Sequence, residues 1–179
     1  MKPALFCLLT LASCSPAPLP DNATATTNAT TTAEPALTTP KSPAQRFADE
    51  TAAGNAFKVA SGNLAMAKGS TAAIRKYAKM LVDDGNQSTM QLKIAAAQAP
   101  GVLPNPSLGE EQTAQLSALQ AASGAAFDAA FKQQQATANE RMLAAQRNYA
   151  ASGDDAALRS FAEQNAPFVL RAVRLGKEL

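Results

Sequence analysis

Side chains able to do chemistry are scarce in this sequence. Among its 179 residues there is no histidine and no tryptophan, and the two cysteines, Cys7 and Cys14, both stand close to the N-terminus. Imidazole and thiol chemistry are therefore denied to the rest of the chain. That excludes zinc fingers, Ser/His/Asp and Cys/His triads, c-type haem attachment and disulfide frameworks. Carboxylates remain. Asp128, Glu140 and Glu163 could each act as a general acid, but a catalytic pair needs two carboxyls on one pocket, and nothing in their spacing makes them converge. The adjacent pairs Asp83-Asp84, Glu110-Glu111 and Asp154-Asp155 offer oxygens to a hard cation. Neighbours on a helix diverge by about 100°, so no pair closes a cage alone, and helix ends and caps are their plainer role. No metal site and no cofactor is expected, and the chain does not read as an enzyme. A formal net charge of +2 leaves no basic field for nucleic acid.

The elements that would hold such residues begin after a leader. Lys2 and the amino terminus carry positive charge, and Ala4 to Ala12 form an apolar run far shorter than the ~20 residues that span a bilayer. This is the pattern of a signal peptide over residues 1–13. Its end, Leu11-Ala12-Ser13-Cys14, resembles the lipobox of bacterial lipoproteins. The resemblance implies cleavage before Cys14, acylation of that cysteine, and a chain held on the membrane through its lipid. Ser15 in the following position, rather than aspartate, favours the outer membrane. A soluble secreted protein with a coincidental cysteine is the competing reading. Residues 14–43 are dominated by Pro, Thr and Ala, which cannot bury a core, so they read as a disordered tether.

From residue 44 to Leu179 the composition shifts to Ala, Leu, Gln, Lys and Phe with helical periodicity, and the fold class is all-α. Ser42 with Pro43 starts a first helix that ends before Gly69. Ser70 or Thr71 caps a second, reaching about Ala99 before Pro100-Gly101, with Ile74, Tyr77, Ala78, Leu81, Leu92 and Ala95 as its stripe. A Pro-containing connection, long enough to be a crossover, leads to a short helix over roughly Gly109 to Ala122. A third long helix follows, with Phe127, Phe131, Ala138, Met142, Ala145 and Tyr149 inward. Gly153 ends it. Asp154 then caps a last helix with Leu158, Phe161, Phe168, Leu175 and Leu179 as its stripe and Pro167 as the place for a kink. Burying these stripes together calls for a four-helix bundle with one extra short helix before the third long one. Tyr77 and Tyr149 read as core residues with hydroxyls at a rim. One of Gln133, Gln134 and Gln135 must face inward, near Asn139 and Asn165.

Several segments in order, Phe47-Ala48-Asp49, Gly54, Phe57-Lys58-Val59, Leu64-Ala65, the run Tyr77 to Asp84, Phe127 to Phe131, and Leu158 to Ala162 with Pro167, resemble a bacterial DUF family of exported, ferritin-like helical-bundle envelope proteins. The resemblance spans Gln45 to Leu179 and implies that fold without implying a reaction. It also marks departures. Gly85 and Asn139 stand where the family usually carries histidine, Ala172 where it carries a third, and Lys58 where a glutamate is common. These four are the candidate interior or former ligand positions. A ferritin-like carboxylate site needs Glu-x-x-His pairs, which a chain without histidine cannot supply. Gly85, mid-helix beside Ser88 and Thr89, reads as a drifted position in a loosely packed stretch, where Gly85→Ala should stabilise.

Two functional readings follow. One is a non-catalytic, lipid-anchored envelope protein whose bundle binds an envelope partner or serves structurally. The other is a metal-handling or redox protein of ferritin-like descent using a site without histidine.

Overall fold

The computed structural model describes residues 40–179. The leader, Cys14 and nearly all of the Pro/Thr/Ala-rich stretch lie outside the described residues. Five helices follow one another: α1 (Pro43–Lys68), α2 (Ala72–Ala96), α3 (Glu110–Ala121), α4 (Gly124–Ser152) and α5 (Ala156–Lys177). No strand occurs among the described residues.

Local chemistry explains the helix ends. The Ser42 hydroxyl accepts from the Gln45 N–H at 3.1 Å, with Pro43 in the first turn, where its missing N–H costs nothing. The Thr71 hydroxyl accepts from the Ile74 N–H at 3.1 Å. At α5 the cap is Asp155 rather than Asp154: its Oδ1 accepts from the Leu158 N–H at 2.9 Å. Asp154 instead accepts from the Tyr149 hydroxyl at 2.8 Å. Gly153 leaves α4 with extended backbone, φ −62° and ψ 151°, so helical dihedrals resume one residue later than its position suggests. α2 stops at Ala96, short of Ala99, because the chain turns back through Gly101, whose φ of 75° is left-handed, and returns Val102 to the interior. α5 runs on through Pro167. Both Pro167 and Glu163, whose carbonyl loses its partner there, are exposed, so water can serve that carbonyl.

α1 and α2 form an antiparallel pair in close approach. Gly62 lies against Val82 and Ala78 of α2, and Gly85 lies against Val59 and Asn55 of α1. α1 and α4 are also antiparallel, with Ser61 opposite Gln135 and Thr51 opposite Gln146. α5 packs on α4 and on α2. Because α2 and α4 run in the same direction, the chain must travel back along the molecule between them. Residues 97–123, including α3, make that crossover beside α1. Gln45 near the start of α1 hydrogen-bonds both the N–H and the carbonyl of Leu103. Lys68 at its end donates to the carbonyls of Leu119 and Gln120 at 3.2 and 2.6 Å.

The apolar core comprises a small cluster of Met142, Leu143, Val169 and Val173 between α4 and α5 and two larger clusters toward the two ends. At one, Phe47, Leu92, Tyr149, Leu158 and Phe161 pack together, with Phe47 stacked on Tyr149 at a centroid distance of 4.0 Å. At the other, Ile74, Leu81, Leu119, Phe127 and Phe131 pack around Tyr77, which meets Phe131 edge-on at 6.2 Å. The stripe of α5 differs from the one periodicity suggests: Phe168 and Leu175 are each 37% exposed, while Val169, Ala172 and Val173 are buried. The buried line advances at the spacing of a long packed helix and leaves Phe168 on the flank, its ring 5.7 Å from the Arg171 guanidinium. In α4 the interior line runs Phe127, Phe131, Gln135, Asn139, Met142, Gln146 and Tyr149, with Ala138 and Ala145 only half-buried.

Candidate functional site

Between the apolar ends lies a polar waist. Thr51, Asn55, Lys58 and Ser61 of α1, Ser88 of α2, Gln135, Asn139 and Gln146 of α4, and Asn165 of α5 are all buried. Most are paired across helices, as burial of polar groups requires. Asn55 Nδ2 donates to Ser88 Oγ at 3.0 Å, and Gln146 Nε2 to Thr51 Oγ1 at 3.2 Å. Asn139 Nδ2 donates to the Tyr77 hydroxyl at 3.2 Å, and that hydroxyl donates to the Ala172 carbonyl at 2.9 Å. The Tyr77 hydroxyl is thus interior rather than at a rim. Gln135 is the inward member of its triplet, and its Nε2 donates to Ser61 Oγ at 2.9 Å. Ser61 donates its own hydrogen to the Phe57 carbonyl at 2.7 Å, so toward Gln135 it can only accept. This fixes the amide orientation and leaves Gln135 Oε1 buried without a partner, as are Gln134 Oε1 and Gln146 Oε1.

The structure brings the four candidate positions to one level of this waist. Lys58 is 5% exposed, Asn139 1% and Ala172 0%. A Cβ on Gly85 would stand 3.6 Å from Lys58 Cδ. Lys58 and Asn139 line the same cavity, and Tyr77 joins Asn139 to the Ala172 carbonyl. An ammonium, a glycine, an amide and a methyl do not fit a transition metal, which needs imidazole, thiolate or converging carboxylates. Gly85 is also not a loose position. Its added Cβ would meet Val59 Cγ2 at 2.9 Å and the Asn55 carbonyl at 3.4 Å. Ser88 is held by Asn55, and Thr89 Oγ1 donates to the Gly85 carbonyl at 2.8 Å. Gly85 is the close approach of α2 to α1, so the expectation that Gly85→Ala stabilises is reversed.

A cavity of about 300 Å³ opens from the waist between α1, α3 and α4. Phe57, Lys58, Gln135, Asn139 and Met142 line it, together with Glu50, Glu110, Glu111 and Arg141. The start of α3 is fastened there by Arg141, which reaches Glu111 Oε1 and Oε2 at 3.0 Å. Burial pushes the Lys58 amine down to about 8, against the opposing pull of Asp84. Asp84 is itself engaged by Arg171 at 2.6 Å. Burial raises the Tyr77 hydroxyl to about 12, so it stays a neutral donor, with the Asn139 hydrogen bond opposing that shift.

The remaining carboxylates are dispersed. Asp128 is buried but accepts from the N–H and hydroxyl of Ser70, tying α4 to the α1–α2 turn. Glu140 pairs with Lys177 at 3.2 Å and Asp83 with Lys79 at 2.7 Å. Glu163 is exposed. No group of three or more Asp, Glu, Cys or His side chains that could hold a metal occurs among the described residues. Sequence reasoning missed Thr51, Asn55 and Gln146 as interior residues. The signal was present: stepping by three and four from Phe131 along α4 lands on Gln135, Asn139, Met142 and Gln146, an interior line that is largely polar.

The fold and site define an all-helical protein with a hydrogen-bonded polar layer and a cavity reaching its buried lysine. The chain belongs to the family described as Domain of unknown function (DUF4142), whose model matches residues 26–178. No curated protein and no solved structure matches the chain.

Proposed function

We propose that the chain is an envelope lipoprotein, acylated on Cys14, that displays a ferritin-like four-helix bundle as a non-catalytic binding or structural module facing the periplasm from the outer membrane. The leader and the Leu11-Ala12-Ser13-Cys14 sequence support the anchor. No helix of the described residues is long and apolar enough to cross a membrane. The long connection between the parallel α2 and α4 supports the ferritin-like topology, which uses one such crossover. The observation that carries binding over catalysis is the waist cavity. It presents Lys58, Gln135 and Asn139, while Asp155 caps α5 and Asp83 and Glu140 are held in surface ion pairs.

Replacing Cys14 with Ser tests the anchor. The variant should accumulate as an unprocessed or mislocalised precursor that takes up no labelled fatty acid. If it is cleaved and fractionates with the membrane like the wild type, the lipoprotein reading fails. Crosslinking of the anchored protein in its native envelope should return a specific partner for the bundle.

A further inference from the structure

Charged groups of both signs share the waist cavity. Lys58 is 5% exposed and forms no ion pair among the described residues, and Asp84, the acid whose charge acts on it, is held by Arg171. Gln135, 1% exposed, is among the residues that line the same cavity, with its own carbonyl oxygen buried out of reach of the opening. Glu50 and Glu110 also line it and are exposed and free of ion pairs among the described residues, whereas Glu111 is taken by Arg141. The walls supplied by Phe57, Ala138 and Met142 are apolar.

Charge complementarity selects the ligand. A simple anion would satisfy Lys58 but would meet the carboxylates of Glu50 and Glu110. A simple cation would satisfy the carboxylates but would be repelled by the buried ammonium. A neutral apolar molecule would answer neither, at the cost of a buried, unpaired charge. A molecule with a carboxylate and an ammonium joined by a short hydrocarbon answers each in turn. A volume of about 300 Å³ suits a ligand of that size.

We propose that the waist cavity binds a small zwitterionic amino carboxylate, its carboxylate on Lys58 and its ammonium toward the carboxylates of Glu50 and Glu110. The inference rests on the reading of the bundle as a binding module. It is independent of lipidation, so failure here leaves the Cys14 experiment standing and the reverse also holds.

Calorimetric titration of the full chain with leucine and with 6-aminohexanoate tests it, the two probes placing the charges close together and far apart. Hexanoate and hexylamine serve as the halves. One of the amino carboxylates should bind at least tenfold more tightly than either half. Lys58→Met should weaken that binding at least tenfold, with helicity unchanged by circular dichroism. Glu50→Gln and Glu110→Gln, both at exposed positions that cannot unsettle the core, should weaken the amino carboxylate severalfold and leave hexanoate unaffected. Absence of heat with both amino carboxylates overturns the proposal. So does hexanoate binding as tightly as 6-aminohexanoate when leucine shows no advantage, because the site would then be a plain anion site. Binding that survives both Lys58→Met and the two rim variants places the ligand elsewhere and also overturns it.

Discussion

The ends of the molecule and its waist are built from the same four long helices yet obey different rules. At the ends, stacked and edge-on rings fill space, and stability comes from removing apolar area from water. At the waist, interior positions on the same helices carry amides, hydroxyls and an ammonium, and fit is set by hydrogen-bond pairing instead. Two glycines, Gly62 and Gly85, bring α1 and α2 close enough there for Asn55 and Ser88 to meet. The difference teaches that the ends hold the protein together while the waist fixes register and keeps a polar cavity open. A buried amide matched to one hydroxyl penalises any slip of the helices.

The sharpest way to break this comparison is a pair of truncations on one helix. Phe131→Ala, in the apolar end, should cost about 3–5 kcal/mol through lost burial and an unfilled cavity. Gln135→Leu, one turn into the waist, should be near neutral or stabilising, because Ser61 keeps its bond to Phe57 and an orphaned carbonyl is removed. Urea midpoints of the two variants decide it. Equal large losses would mean that the waist is as tightly bound to stability as the ends.

Lys58 gives the next largest effect, and its sign depends on pH. Its folded-state value of about 8 lies below the ~10.4 of an unfolded chain, so between those values the unfolded state holds a proton that the folded state has released. Stability should therefore rise as pH increases from about 8 to 10, by on the order of 1–3 kcal/mol. The charged groups facing it are Asp84 with Arg171, and Glu50, Glu110, Glu111 and Arg141 around the cavity, with Tyr77 neutral throughout. Lys58→Met should raise stability at pH 7 and flatten that rise, as read by denaturation at several pH values.

Gly85→Ala sharpens the packing side of the waist. The new methyl meets the stiff Val59 side chain, and overpacking of roughly 1–3 kcal/mol outweighs the gain of up to about 1 kcal/mol in helix propensity. A net fall in the urea midpoint at unchanged slope is expected, and a rise would show that α1 yields freely. The smallest effect tests an end: Asp155→Ala should cost about 1 kcal/mol through the lost cap of α5, as measured by thermal unfolding.

Much of the framework was legible from local pattern. Ser42-Pro43 and the Thr71 cap mark helix starts through chemistry confined to three or four residues, and the stripe of α2 is a one-dimensional period. The choice between Asp154 and Asp155 was not legible, because it depends on how the chain leaves Gly153. Nor was the phase of α5, where Phe168 is more apolar than Asn165 yet lies further from the axis of packing.

What the sequence determined by itself is the chemistry withheld and the helices permitted: no imidazole, no thiol beyond Cys14, and apolar spacing that only helices can bury. Tertiary structure alone decided that Lys58, Gly85, Asn139 and Ala172 share one level, and that Gly85 is a contact rather than a vacancy. It also decided that Gln135 ends in an unpaired carbonyl in the packed interior. The physical reason is range. Capping and periodicity act within a turn or two of one helix, whereas the pairing of a buried amide and the solvation of a buried amine depend on residues tens of positions away, which meet only when separate helices pack.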